Sequence, residues 1–271
     1  MTREYLIHLK TWFAGYAAGY YRDDPNNNRA IRLKEEHTER VCRNILMLGR
    51  EINLSDQEML IAETVALFHD VGRFKQYAEY GTFKDMASEN HARLGIREMS
   101  LHRVLSACTK DEKRIVSRAI AYHNAVMLPS EGDVFMRLIR DADKLDIWNV
   151  VTSYYAERDR QRNVAIELDL PDTPVCSQNV IDLLNSRRFI RMKDLKTLDD
   201  FKLMQIGWAF DLNFAPSFRE LKRLRYIEEI EATLPKSEAI SEAVKKVMDY
   251  VESKCPHKTA CKAVLLISTR D

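Results

Sequence analysis

The chain has 271 residues, long enough to bury a core without a disulfide or metal staple, and no apolar run approaches the ~18 residues of a membrane span. Its 8 glycines and 7 prolines are each about 3% of the chain, against typical usage of ~7% and ~5%. Turn chemistry is therefore scarce, which argues against a many-stranded β architecture and predicts an all-α fold. The 42 basic and 41 acidic side chains leave a net charge of +1, so nothing global points to nucleic acid or an anionic membrane as partner.

In chain order, the first thirty residues hold Arg3, Glu4, Lys10, Arg22 and Asp23 and no secretory signal, and a cytoplasmic location is expected. Ile31 to Leu48 reads as a helix in which His37, Val41, Ile45 and Leu48 share a face, so His37 points to the core. Ser55 and Glu58 have the form of a capping box, and Met59 to Phe68 follows as a helix apolar on nearly every side, which belongs in the middle of a bundle. His69 and Asp70 close it, and Gly72 is expected to end the helix there. Gln76 to Met86, with Tyr77, Tyr80, Gly81, Thr82 and Phe83, reads as an aromatic-rich loop, and Ser88 starts a helix with His91 in its first turn.

Between Glu112 and Met127 the stripe of Ile115, Val116, Ala119 and Ile120 runs onto His123. Phe135 to Tyr155 is a long helix carrying Asp141, Asp143 and Asp146. An irregular stretch from Leu168 to Cys176 holds Pro171 and Pro174, and a second pause falls at Ala215-Pro216-Ser217. Both are short and flanked by apolar helices, Val180 to Leu184 and Phe201 to Phe214, and neither reads as a flexible linker. The expectation is one all-helical domain over residues 1–271, with a helical extension over 157–254 and a short tail over 255–271.

The five cysteines, Cys42, Cys108, Cys176, Cys255 and Cys261, are scattered and contain no C-x-x-C, as suits reduced thiols. Cys255, His257 and Cys261 cluster near the C-terminus without a fourth ligand at zinc spacing. His8 and His102 match no motif and are expected at the surface. The adjacent His69 and Asp70 place two polar groups where a core would prefer leucine, and burying them without partners is costly. His37 and His123 lie on apolar faces of other helices, which gives that pair company.

These residues resemble the signature of the HD superfamily of metal-dependent phosphohydrolases. The isolated histidine stands in Lys34-Glu-Glu-His-Thr-Glu-Arg-Val41, the adjacent pair in Phe68-His-Asp-Val-Gly-Arg73, and the distant aspartate follows alanine in Asp141-Ala-Asp-Lys-Leu-Asp146. The resemblance covers about residues 28–156, and its continuation through Arg73-Phe, Tyr80-Gly-Thr-Phe83 and Ser88-Glu-Asn-His91 looks like a bacterial branch. It implies an HD-domain helical bundle in which His37, His69, Asp70 and Asp143 hold a principal metal. Subgroups add two histidines for a second ion, and His91 and His123 supply them; a solvated His91 and a satisfied core His123 are the alternatives. Two imidazole and carboxylate sets suit one or two divalent transition metals, whether Mn, Fe, Ni, Co or Zn.

The activity implied is hydrolysis of a phosphate ester, a nucleotide or related small phosphorylated metabolite, by a metal-activated water. Asp70 and Arg73 are the catalytic candidates; Arg73 and Lys144 are candidates for holding the phosphate, with surface ion pairs as the alternative for both. Tyr80 and Phe83 offer base stacking, with core packing as the favoured alternative. A Gly-Tyr-Pro signature and a Glu-Asp pair after Asp70 are missing, which disfavours cyclic dinucleotides and alarmones as substrates. The rival readings are an HD-fold di-iron oxygenase and a non-catalytic ligand-binding module.

Periodicity gives both Asp141 and Asp143 an apolar flank, and two residues apart on a helix means ~200° of rotation, so both cannot face one ion. The resemblance selects Asp143. It leaves Asp141 to a capping, hydrogen-bonding or supporting role, and Asp146, near the Asp143 face, to orienting a ligand histidine or binding substrate.

Overall fold

The computed structural model describes residues 1–130, 132–157 and 162–255, and no strand occurs among them. The fold is all-α. Helix α1 spans Arg3–Ala18 and α2 spans Pro25–Glu51, the latter started by Asp24 as cap and Pro25 in its first turn. α3, Asp56–Phe68, opens with the reciprocal Ser55 and Glu58 capping box. α4 is Gly72–Tyr80 and α5 is His91–Leu101. α6, Lys110–Tyr122, opens with a second capping box from Thr109 and Glu112, and α7 is Val134–Ala156.

α3 is surrounded by α1, α2, α6 and α7, which is why its sequence is apolar almost all round. α2 and α7 pack along each other, bringing His37 to Asp143 and Asp146. The remaining helices are α8 (Val164–Glu167), α9 (Gln178–Asn185), α10 (Leu198–Gly207), α11 (Ala215–Arg223), α12 (Tyr226–Glu231) and α13 (Glu238–Ser253). α11 and α12 cover the other side of α7, where the fully buried Trp148 stacks on Tyr226 with ring centres 6.5 Å apart. One apolar cluster includes Leu9 of α1 and Val251 of α13. No helix among the described residues is long and apolar enough to cross a membrane.

Four expected boundaries move. Gly72 does not end a helix but opens α4, and its missing side chain has a tertiary reason: a Cβ there would lie 2.5 Å from the backbone nitrogen of Gly95 in α5. Gln76 to Tyr80 is therefore helical, and the loop starts only at Gly81, whose φ of 65° closes α4 in the left-handed region. α6 stops at Tyr122, short of Met127. The His123 amide turns back to the Ile120 carbonyl, and its Nδ1 binds that carbonyl too, so the helical ladder ends there. Finally, Phe201 to Phe214 is not one helix, because the chain tightens after Gly207 into a short 3₁₀ turn, Trp208–Asp211. That turn carries Trp208 and Asp211 to the rim of the centre described next.

Candidate metal centre

His37 projects from the middle of α2, His69 and His123 cap the C-termini of α3 and α6, and His91 opens α5. All four histidines and Asp70 are buried, and Asp143 comes from the middle of α7. Each imidazole is tied down through Nδ1. His37 Nδ1 lies 2.6 Å from Asp146 Oδ2, and Arg40 Nε donates to the same carboxylate at 2.5 Å. His91 Nδ1 lies 2.8 Å from both oxygens of Asp85. His69 and His123 each donate Nδ1–H to the carbonyl three residues back, Ala66 and Ile120, both at 2.7 Å. A histidine closing a buried helix thus binds one of the helix-end carbonyls.

With Nδ1 committed to these partners, four Nε2 atoms point inward. His37 and His69 bring theirs to 3.2 Å, and His91 and His123 to 2.9 Å. Lone pairs facing at such separations repel unless a proton or cation lies between them. Asp70 sits between the two pairs. Its Oδ2 is 3.6 Å from His37 Nε2 and 3.8 Å from His69 Nε2, while its Oδ1 is 3.3 Å from His91 Nε2 and 3.8 Å from His123 Nε2. Asp143 Oδ1 adds to the first pair only, 3.1 Å from His37 and 3.7 Å from His69. Two groups able to hold an ion result, His37 with His69 and Asp70, and Asp70 with His91 and His123, each with ligand atoms within 4.8 Å of one another. The mixed nitrogen and oxygen donors fit a divalent transition metal.

Charge follows the same layout. Burial opposes ionisation of Asp70, but Lys34, His69 and Arg73 overcome it and hold the carboxyl well below its usual range. Asp143 is likewise held well below that range, its burial outweighed by hydrogen bonds from His37 and His69. Burial pushes His91 down, as does the neighbouring Arg73.

A cavity of about 220 Å³ opens over the centre, lined by Lys34, Arg73, Arg140 and Lys144 among others. Arg73 NH1 donates to Asp85 at 2.9 Å, to Gln76 at 2.7 Å and to the Phe83 carbonyl, while its buried Nε makes no hydrogen bond and lies 3.5 Å from Asp70. Lys144 does not stand alone: its Nζ pairs with Asp211 at 2.7 Å, a carboxylate it shares with Arg140.

All six residues expected as ligands therefore converge, and Arg73 and Lys144 line the same cavity. Asp141 faces away, accepting hydrogen bonds from the backbone of Asn213 and Phe214 and from the Asn213 side chain. Asp146 orients His37. His91 is not a solvated residue, and the cap of its helix is Asn90 rather than Ser88. Phe83 is buried against Tyr77, whereas Tyr80 is exposed. His8 and His102 are exposed as expected. Cys255 is a half-buried free thiol, while His257 and Cys261 lie outside the described residues.

The sequence reading missed Lys34, whose Nζ lies 2.8 Å from Asp70 Oδ2. Its place three residues before His37, on the same helical face, was a usable signal. It also missed Asp85, which opens a single 3₁₀ turn, Asp85–Ala87, too short for periodicity to carry information. Comparison with curated proteins and with solved structures gives no match. The family model of the HD domain matches residues 35–148, the stretch that supplies every residue of both ligand groups, and marks an HD domain over that part of the chain.

Proposed function

We propose that the protein hydrolyses a phosphate ester at this centre, with a small phosphorylated molecule as substrate. The observation that supports it is the placement of Asp70 between two histidine pairs, beneath a cavity edged by Lys34, Arg73, Arg140 and Lys144. His37, His69, Asp70 and Asp143 would hold one divalent ion, and Asp70, His91 and His123 a second. Such ions, when bound, supply Lewis acidity at the phosphoryl group and a water of lowered pKa.

The chain's own residues do the rest. Arg73 is locked by Asp85, Gln76 and the Phe83 carbonyl, so its guanidinium keeps its position whether or not an anion is present. Its charge, 3.5 Å from Asp70 at Nε, stands beside where a phosphoryl group at the ions would be. Lys34 adds positive charge on the other side of Asp70. In the reaction the P–O bond to the organic group breaks as water oxygen bonds to phosphorus; the leaving oxygen takes up a proton and departs as an alcohol, leaving inorganic phosphate.

The test is phosphate release from a generic aryl phosphate by the full chain under anaerobic conditions. Activity abolished by chelation and restored by Mn²⁺ is the expected result. Dioxygen consumption by iron-loaded protein without phosphate release would overturn it in favour of an oxygenase, and ligand binding without any turnover would make the protein a binding module.

A further inference from the structure

Beside the catalytic cavity lies a second one of about 250 Å³, and the two share Lys34, His37, Arg73, Ile147 and Trp208. The walls of the second cavity are of a different chemistry. They come mainly from α2, α7 and α10, with Leu33, Val150, Val151, Phe201 and Met204 facing the space. Phe83 closes the side nearest the centre, with Lys34 Nζ 5.2 Å and the Arg73 guanidinium 5.9 Å from its ring centre. Cations therefore stand where the two spaces meet, and hydrocarbon lies beyond them.

Within that apolar lining stands one amide. Gln205 is fully buried; its Oε1 accepts from the Tyr155 hydroxyl at 3.2 Å and its carbonyl from Trp148 Nε1 at 3.0 Å. Its Nε2 makes no hydrogen bond. A buried donor without a partner is costly in a native interior, and a lone polar group in an apolar pocket is the usual means of orienting a ligand.

We propose that the organic group of the phosphate ester occupies this second cavity, and that it is an aryl or branched alkyl group with a single hydrogen-bond acceptor for Gln205 rather than a nucleoside. The inference rests on the phosphohydrolase reading of the adjoining centre. Sugar hydroxyls and base edges carry several donors and acceptors, and a wall of apolar side chains with one amide would strand most of them without partners. An apolar group gains by leaving water and leaves nothing unpaired.

The experiment uses the manganese-loaded full chain and non-hydrolysable probes in calorimetry: methylphosphonate, naphthylmethylphosphonate and the 5′-methylenephosphonate analogue of adenosine monophosphate. Naphthylmethylphosphonate is expected to bind at least about tenfold tighter than methylphosphonate, a conservative share of what burying such a ring provides. The adenosine analogue is expected to gain nothing over methylphosphonate. Val150→Phe, which fills the cavity from a half-buried wall position, brings the naphthyl-to-methyl ratio close to one. Gln205→Met weakens a methoxynaphthyl probe more than the plain naphthyl one. Tighter binding of the adenosine analogue, or a ratio unmoved in Val150→Phe, would overturn the proposal. Apolar-ordered binding without phosphate release from any ester would overturn only the hydrolase reading, whereas release that favours nucleotides would overturn only this inference. No binding of any probe would overturn both.

Discussion

In one half of the centre His37 turns Nδ1 to the Asp146 carboxylate and His69 turns Nδ1 to the Ala66 carbonyl; in the other, His91 turns to Asp85 and His123 to the Ile120 carbonyl. Each half thus combines one imidazole oriented by a carboxylate with one oriented by the end of its own helix. The halves differ in charge. The first has Asp143 for itself as well as a share of Asp70, and its orienting carboxylate, Asp146, is buried and held by Arg40. The second has only its share of Asp70, and its orienting carboxylate, Asp85, is part-exposed in a 3₁₀ turn and divided between His91, Arg73, Gln76 and Asn124. Similar imidazole geometry with unequal negative charge predicts that the first half is the tighter cation site and the second the one more readily emptied.

The residue common to both halves gives the largest expected effect. Asp70→Ala should strip both ions while the helical core persists, because the carboxylate faces both pairs but contributes nothing apolar to the core. Elemental analysis paired with circular dichroism checks this, and wild-type metal content in a folded Asp70→Ala protein would sink the shared-ligand arrangement. Next in size come the changes that separate the halves. His123→Gln is expected to reduce stoichiometry from two ions to one with the tighter affinity intact, whereas Asp143→Asn should weaken the tighter site and leave the weaker. Identical losses from both would show that the ions bind as one unit. Smaller again is the effect of Asp146→Asn, which keeps the shape but not the charge behind His37; tightening of the ligand is lost and metal affinity should fall about 10–100-fold. A titration with a chelator as competitor reads that difference, and Asp85→Asn should change affinity less.

How far this centre was readable before the fold depended on how each residue meets its neighbours. His37 and His123 continue apolar stripes, and Ser55 and Thr109 begin capping boxes, so local pattern and tertiary environment agree. The choice between Asp141 and Asp143 had no such signal. α7 packs on α2, α3 and α6 along one side and on α11 and α12 along the other, so two opposed faces are apolar and an aspartate on either has apolar flanks. Only the alanine before Asp143 separated them. Gly72 misled for a related reason: its lack of a side chain serves the backbone of α5, a contact more than twenty residues away that no local rule contains. Asp85 was invisible because a residue in so short a turn declares itself only through the histidine that it meets in space.

The smallest expected effect distinguishes the halves by pH in the metal-free protein. Burial opposes the charged form of His37, but hydrogen bonds to Asp143 and Asp146 prevail and lift the imidazole to about 9. Burial and the neighbouring His91 and His69 take His123 the other way, to about 3. A folded value above the unfolded 6.5 means that His37 contributes stability fully below about pH 6.5, and that this contribution is lost as the pH climbs through about 9. His123, with its folded value below 6.5, favours the fold above that pH and penalises it as the pH falls toward 3, so the alkaline window belongs to His37 alone of the two. Chelated protein should therefore melt about 2–6 °C lower at pH 9 than at pH 7, and His37→Gln should remove most of that drop. Bound metal requires the deprotonated imidazole at either pH, so the loaded protein should lack the His37 share of the drop and should release a proton on binding at pH 7. An equal alkaline drop in chelated wild type and His37→Gln would place the extra proton somewhere other than the first half of the centre, and with it the charge asymmetry from which the order of metal affinities follows.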